Sequence, residues 1–288
     1  MKSVKLFVPA TIGNVGPGFD VLGLAFEGLG NTYRLSLCEG KSRVDSVEGI
    51  DFDRVPTDPR KNLSLLAADY VAKHYRKSYH FALEIEEGLP IGGGLGSSAA
   101  ACLAGAYGAM LLLGEEVSEK LLFKIGLKLE GHLDNIAPAY CGGLAIAVEG
   151  KALRVLSEFS PWIALVTPKV RVQTKKARAL LPENLPQAEW TRQMALSCAL
   201  VCSWQQNDAE GIRLALQDPY AESRRSKLIP GFDQIKQSAL NTGALGCSIS
   251  GAGPTIFALF EKQQDAEQFA GNHQGHVGQV AKEGIRVC

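Results

Sequence analysis

The sequence lacks net charge, a paired-cysteine motif and any apolar run long enough to cross a membrane. Thirty lysines and arginines balance thirty aspartates and glutamates over 288 residues, so the electrostatic footprint of a nucleic-acid binder or a polybasic membrane surface is missing. Neither nucleic acid nor membrane is expected as a partner, and a small, charged substrate fits better. The seven cysteines (Cys38, Cys102, Cys141, Cys198, Cys202, Cys247 and Cys288) are odd in number, scattered and without Cys-x-x-Cys spacing, which argues against a disulfide framework or a zinc site. They are expected mostly as small buried apolar residues in a reducing compartment. The longest apolar stretch, Ala99 to Leu113, contains Gly105, Tyr107 and Gly108 and is too short to span a bilayer. Met1 leads straight into the alternating Val4, Leu6 and Val8, with no basic leader or small-residue cleavage site, so a soluble cytoplasmic protein is expected.

What is present is an ordinary apolar fraction, 46%, in a length suited to one large domain or two modest ones at roughly 100–200 residues each. Strand-like segments at Val4–Val8, Tyr33–Cys38, Tyr79–Glu86, Gly143–Val148, Ile163–Pro168, Cys247–Ser250 and Thr255–Phe260 alternate with helical patterns. The class is α+β. One helix is predicted from Ser97 or Ser98 to Leu113, with serine able to cap it and Gly114 to stop it. Another is predicted from Ser118 to about Gly131, with Leu121, Leu122, Ile125 and Leu129 on one face and Lys120, Lys124 and Lys128 opposite. The turn-rich stretch Gly150–Pro161 is the candidate boundary between an N-terminal domain, residues 1–155, and a C-terminal domain, residues 156–288.

The most informative stretch runs Leu89-Pro90-Ile91-Gly92-Gly93-Gly94-Leu95-Gly96-Ser97-Ser98-Ala99-Ala100, between a strand pattern and an Ala-rich helix. Glycines remove Cβ atoms so that backbone N–H groups can close on an anion, and a helix N-terminus adds partial positive charge. One serine could cap the helix and the other ligate a magnesium ion bridging phosphate oxygens. A Walker A loop is excluded, because the only Gly-Lys-Ser, at Gly40-Lys41-Ser42, has Leu35 where the first glycine is required. A dinucleotide fingerprint is matched only in degenerate form by Gly94-Leu95-Gly96-Ser97-Ser98-Ala99. The acids about 20 residues on, Glu115 and Glu116, follow a helix and not a second strand.

This loop resembles the phosphate loop of the GHMP kinases, the superfamily of galactokinase, homoserine kinase, mevalonate kinase and phosphomevalonate kinase. The block Pro9 to Gly23 (PATIGNVGPGFDVLG) is similar to the homoserine kinase version, and Ser250-Gly251-Ala252-Gly253-Pro254-Thr255 to the superfamily's C-terminal block. Glu130-Gly131-His132-Leu133-Asp134-Asn135-Ile136-Ala137-Pro138-Ala139 is similar to a further homoserine kinase block, departing from it at Leu133, where proline is usual.

The resemblance implies a two-domain GHMP-kinase fold, with an N-terminal ribosomal protein S5 domain 2-like unit, a C-terminal ferredoxin-like unit and the active site between them. It implies ATP and Mg²⁺ as cofactors and ATP-dependent phosphorylation of L-homoserine, the step before threonine formation. Another small alcohol such as mevalonate, or a non-catalytic nucleotide-binding role, is the alternative. Pro90 to Ala100 would hold nucleotide phosphates, and Asn62 would either lie near the adenine or cap a helix. Ser98 and Glu130 would hold Mg²⁺, and Glu130 and Asp134, four apart, would share a helix face if the helix persists. Asn135 would orient the hydroxyl, ahead of Asp134 as a base. Arg178 and Arg225, the latter with Arg224 beside it, are the carboxylate candidates. Asn14 and Asp20 would receive the ammonium, with His132 and Gly251 also at the substrate. The oligomeric state is not fixed by the sequence, and a homodimer is compatible with it.

Overall fold

The protein is described from a computed structural model over residues 3–288. In chain order its elements are β1 (Ser3–Gly13), β2 (Leu22–Cys38), β3 (Arg43–Gly49), α1 (Leu63–His74), β4 (His80–Glu87), α2 (Ser97–Leu113), α3 (Glu119–Glu130), α4 (Ile136–Cys141), β5 (Leu144–Val148), β6 (Lys151–Arg154), β7 (Trp162–Val166), α5 (Thr174–Ala179), α6 (Gln187–Gln206), α7 (Ala209–Ala215), α8 (Glu222–Arg225), α9 (Phe232–Asn241), β8 (Gly246–Ile249), β9 (Ile256–Phe260), α10 (Gln263–His273), β10 (His276–Gly278) and β11 (Arg286–Val287). Two sheets organise them. The first runs β11-β1-β2-β4-β3, with β5 joining β2 and β6 joining β5; the second runs β10-β7-β9-β8. All pairs are antiparallel except β3 with β4.

Three apolar clusters follow from strand alternation. Val4, Leu6 and Val8 of β1 pack with α1, α2 and α3 in one, whereas Ala10 and Ile12 of the same strand belong to the next. The β1–β2 register shifts between Pro9 and Ala10, where the strand passes from one cluster to the other; proline offers no N–H to a ladder. Strands β7 and β9 send Ile163, Leu165, Phe257 and Leu259 into that middle cluster and Ala164, Val166, Ile256, Ala258 and Phe260 into a third, beneath α9 and α10. Burial on both faces explains why these strands read as unbroken apolar runs.

Helix α2 is buried along most of its length and α3 has the expected amphipathic split. Ser118 caps α3 and Gly131 ends it in the left-handed region. Several expectations need correcting. Gly150–Pro161 is not only turn, since Lys151–Arg154 pair with β5. The last residues do not stay with the second sheet, because Leu6 and Phe7 pair with Val287 and Arg286; the first sheet therefore takes chain from both sides of the division expected at residue 155. Only Cys102 and Cys247 of the seven free cysteines are fully buried. No helix among the described residues is long and apolar enough to cross a membrane.

Candidate active site

A cleft of about 440 Å³ is lined by the glycine-rich loop, by Thr174, Arg178 and Arg225, and by Gly251 to Gly253, which pack against Gly94 of the loop. The loop is braced from five directions. Thr11 N–H donates to Leu95 O (3.1 Å), Thr255 N–H to Gly93 O (3.1 Å) and Ser250 Oγ to Gly94 O (2.5 Å). Asp51 Oδ2 accepts from Ile91 N–H (3.0 Å), and Asn31 Oδ1 accepts from Gly88 and Leu89 N–H (2.9 and 3.0 Å). Gly94 and Gly96 are required where they stand. Both have φ above +70°, and a Cβ on Gly94 would lie 2.6 Å from Ser250 O, while one on Gly96 would lie 2.0 Å from Thr11 Oγ1. The loop ends at the start of α2, whose first N–H groups have no intrahelical partner and point toward the cleft end of the helix.

Neither serine caps α2, contrary to expectation. The N-cap is Gly96 in the left-handed region, without a side-chain cap, and the two hydroxyls turn outward to different acids. Ser97 Oγ donates to Glu87 Oε1 (2.7 Å), and Ser98 Oγ makes a close contact with Glu130 Oε2. Leu95 and Ala100 face the apolar clusters and do not line the cleft, whereas Pro90 to Gly94 and Gly96 to Ala99 do. Ser98 and Glu130 come from the start of one helix and the end of another and present adjacent hard oxygen donors, the set that Mg²⁺ takes alongside waters and phosphate oxygens. Asn62 caps α1, accepting from Ser64 and Leu65 N–H and donating to Pro56 O, and also sits on the cleft wall.

Glu87, which the sequence reading passed over, is the buried acid at the start of the loop. Burial pushes its carboxyl up, against hydrogen bonds from Ser97 and Asn31 that favour the charged form. It ties the loop's beginning to its end, residues 87 and 97. Thr11 was also passed over; its hydroxyl donates to Asn135 Oδ1 (2.8 Å). An acid directly ahead of a glycine-rich loop, and a hydroxyl inside the Pro9–Gly23 block, were the available signals.

The cleft is also lined by Asn14, Asp20, His132, Asp134, Asn135, Arg178, Arg225 and Gly251, of which Asn135 and Gly251 lie close to Gly96 and Gly94 of the loop. Glu130 and Asp134 do not share a helix face, because α3 stops at Glu130 and Gly131 turns the chain. Asp134 is instead buried beside His132, whose Nδ1 lies 2.5 Å from Asp134 Oδ1. Burial alone would lower the His132 value, but the hydrogen bond and charge of Asp134, with Asp20, raise it above that of an ordinary imidazole. Gly13 makes room for this pair, since a Cβ there would come 2.6 Å from Asp134 Oδ2 and 2.7 Å from Asn135 Nδ2.

Arg178 and Asp20, expected to bind opposite ends of a zwitterion, bind each other through two hydrogen bonds of 2.8 and 2.6 Å. Asn14 accepts from Asp20 N–H and donates to Gly251 O. Arg225 is buried, donates from Nη1 to Gly251 O (2.7 Å) and leaves its buried Nε without a partner. Burial and the nearby Arg178 push its value down, so its cation is under-compensated. Arg224 turns away to Glu189 and the carbonyls of Pro219 and Tyr220, which separates the two neighbouring arginines.

Comparison with known proteins matches residues 62–143 to the family model for the GHMP kinases N terminal domain and residues 199–276 to that for GHMP kinases C terminal. A homoserine kinase of Chlorobium phaeobacteroides is 35% identical, with 98% of this chain and 92% of that protein covered. One of Chlorobium phaeovibrioides is 36% identical, covering 92% and 89%. The crystal structure of homoserine kinase from Cytophaga hutchinsonii superposes with a TM-score of 0.92 at 34% identity, covering 100% of this chain and 98% of that one.

Proposed function

The chain belongs to the GHMP kinases, and from that premise we infer how it moves the γ-phosphoryl group of ATP to the side-chain hydroxyl of L-homoserine, giving ADP and O-phospho-L-homoserine. The observation that carries the reading is that a glycine-rich loop at a helix start and an under-compensated buried guanidinium line one cleft.

We assign the nucleotide's phosphates to the loop from Gly92 to Ser98 and the start of α2, where Gly92, Gly94 and Gly96 carry no side chain to cover the backbone. The donor set supports Mg²⁺ at Ser98 and Glu130, where it would neutralise phosphate charge. Asn62 forms part of the wall at the nucleotide end, with its side chain mostly committed to the cap of α1.

At the acceptor end the carboxylate of the amino acid is assigned to Arg225 and Arg178, since a forked guanidinium suits it. The ammonium is assigned to Asp20, with Asn14, His132 and Gly251 closing the pocket. Binding then exchanges part of the internal Asp20–Arg178 pairing for the substrate's own charges. Because Asn135 Oδ1 is held by Thr11, its Nδ2 is the group left to donate to the substrate hydroxyl and set its lone pair toward phosphorus. Phosphoryl transfer through a loose transition state needs little prior deprotonation, so positioning and charge neutralisation carry most of the rate. Asp134, already engaged by His132, ranks below Asn135 in this scheme. An Asp134→Asn enzyme that loses turnover while keeping substrate affinity would reverse that order.

The test is a coupled ADP-release assay across amino and hydroxy acids. Release with L-homoserine well above that with mevalonate is expected; strong release with mevalonate and none with L-homoserine overturns the assignment. No nucleotide turnover with any acceptor, together with retained ATP binding, would instead mark a binding module.

A further inference from the structure

We propose that Phe19 is a positioning residue for the substrate's carboxylate, holding the guanidiniums of Arg178 and Arg225 together at the acceptor end of the cleft; this rests on the homoserine reading above. The guanidinium carbons of Arg178 and Arg225 lie over the Phe19 ring, 5.4 and 5.1 Å from its centroid. Tyr220 meets the same ring edge-on, with centroids 5.0 Å apart and planes at 83°. Phe19 itself stands outside the cleft lining, while both arginines are part of it, so it acts through them.

The arrangement answers an electrostatic problem. Two cations set in one partly desolvated wall repel each other, and only one has a carboxylate of its own: Arg178 is paired with Asp20, whereas Arg225 has Gly251 O and an unpartnered Nε. The negative face of an aromatic ring attracts both and costs no countercharge, so it can hold them close while leaving their net positive charge for an incoming anion. An acid in place of Phe19 would cancel the charge that the anion needs; an aliphatic residue would fill the space without attracting either cation.

The loop that carries Phe19 is itself fixed. Pro17 O accepts from Gln193 Nε2 (2.6 Å) and Ser197 Oγ (2.8 Å) of α6, and Gly18 N–H donates to Asn14 O (3.0 Å). A Cβ on Gly18 would fall 2.2 Å from Leu22, so the chain here follows one path. The ring's place relative to both arginines is therefore set by the fold and not by the substrate.

The test compares wild type, Phe19→Leu and Phe19→Tyr with two acceptors, L-homoserine and 3-amino-1-propanol, which keeps the alcohol and the ammonium and lacks the carboxylate. Phe19→Leu is expected to raise KM for L-homoserine about tenfold, with kcat and the KM for ATP within about twofold, and to leave kcat/KM for the carboxylate-free alcohol within about twofold. Phe19→Tyr, which keeps the ring, should restore the KM. A Phe19→Leu enzyme with unchanged KM for L-homoserine, or one that loses both acceptors and ATP equally, overturns the proposal. Calorimetric titration of the same proteins with L-homoserine separates this from the parent reading. Tenfold weaker binding by Phe19→Leu supports the positioning role even where wild type shows no turnover, an outcome that would strike only the kinase assignment.

Discussion

The two ends of the cleft are made of different materials. The end proposed for the nucleotide is mostly backbone: a contiguous run from Pro90 to Ser98, three glycines with positive φ, and bracing hydrogen bonds that fix the loop from behind. The end proposed for the acceptor is made of the side chains of Asn14, Asp20, His132, Asp134, Asn135, Arg178 and Arg225 with the carbonyl of Gly251, held by charge pairing and by an aromatic ring. A backbone site tolerates side-chain change but not added volume; a side-chain site tolerates volume better than loss of charge.

Gly94→Ala should give the largest effect, because its Cβ would meet the carbonyl oxygens of Ser250 and Gly253 at 2.6 and 3.0 Å. We expect kcat/KM for ATP to fall by roughly a hundredfold or more, while Gly92→Ala, where nothing lies within 4 Å, should cost no more than the left-handed strain of about 1–2 kcal/mol, about a tenfold loss. Equal losses at both would break the idea of a close-packed cradle. Next comes Arg225→Met, which removes a buried charge-assisted contact worth about 1.5–3 kcal/mol; KM for L-homoserine should rise by roughly ten- to a hundredfold with the KM for ATP unchanged. A matching rise for ATP would show that the two ends are not separable. Glu130→Gln should raise the Mg²⁺ needed for half-maximal rate by roughly tenfold, on the scale of one lost ligand, and leave L-homoserine binding alone.

The smallest effect is on stability against pH, and the ends differ in window. Glu87 is raised by burial, so the fold favours its neutral form; stability falls as pH rises from the usual carboxylate value of about 4.3 through the raised one. His132 is raised by Asp134, so its contribution is full below about 6.5 and is lost as pH rises through the raised value. Glu87→Gln should flatten the lower window and His132→Gln the upper one in denaturant melts taken across pH. If either variant flattened the wrong window, the corresponding environment would be misassigned.

The same contrast explains what sequence could and could not say. The glycine-rich turn into a helix was legible because its residues are contiguous, and α2 and α3 because glycine stops and apolar periodicity are local signals. The two serines were foreseen at the right place but not in the right bonds, since Glu87 and Glu130 reach them only through tertiary packing. Arg224 and Arg225 adjoin in the sequence, which cannot tell them apart, and the α8 turn sends only Arg225 toward Gly251 while Arg224 turns to Glu189. Nor could spacing reveal that Asp20 and Arg178, 158 positions apart, would meet. Strand β6 was missed because Lys151–Arg154 is mostly exposed and carries no clear alternation, and β11 because two residues leave no pattern at all.

The pairing of Leu6 with Val287 has a consequence for biosynthesis. In the order of synthesis β11 comes about 270 residues after β1, so the margin of β1 that it covers stays unpaired while the intervening chain is made. Unpaired strand margins recruit other strands; the nascent polypeptide should therefore depend on chaperones until β11 docks, and a ribosome stalled ahead of β11 should leave an aggregation-prone product.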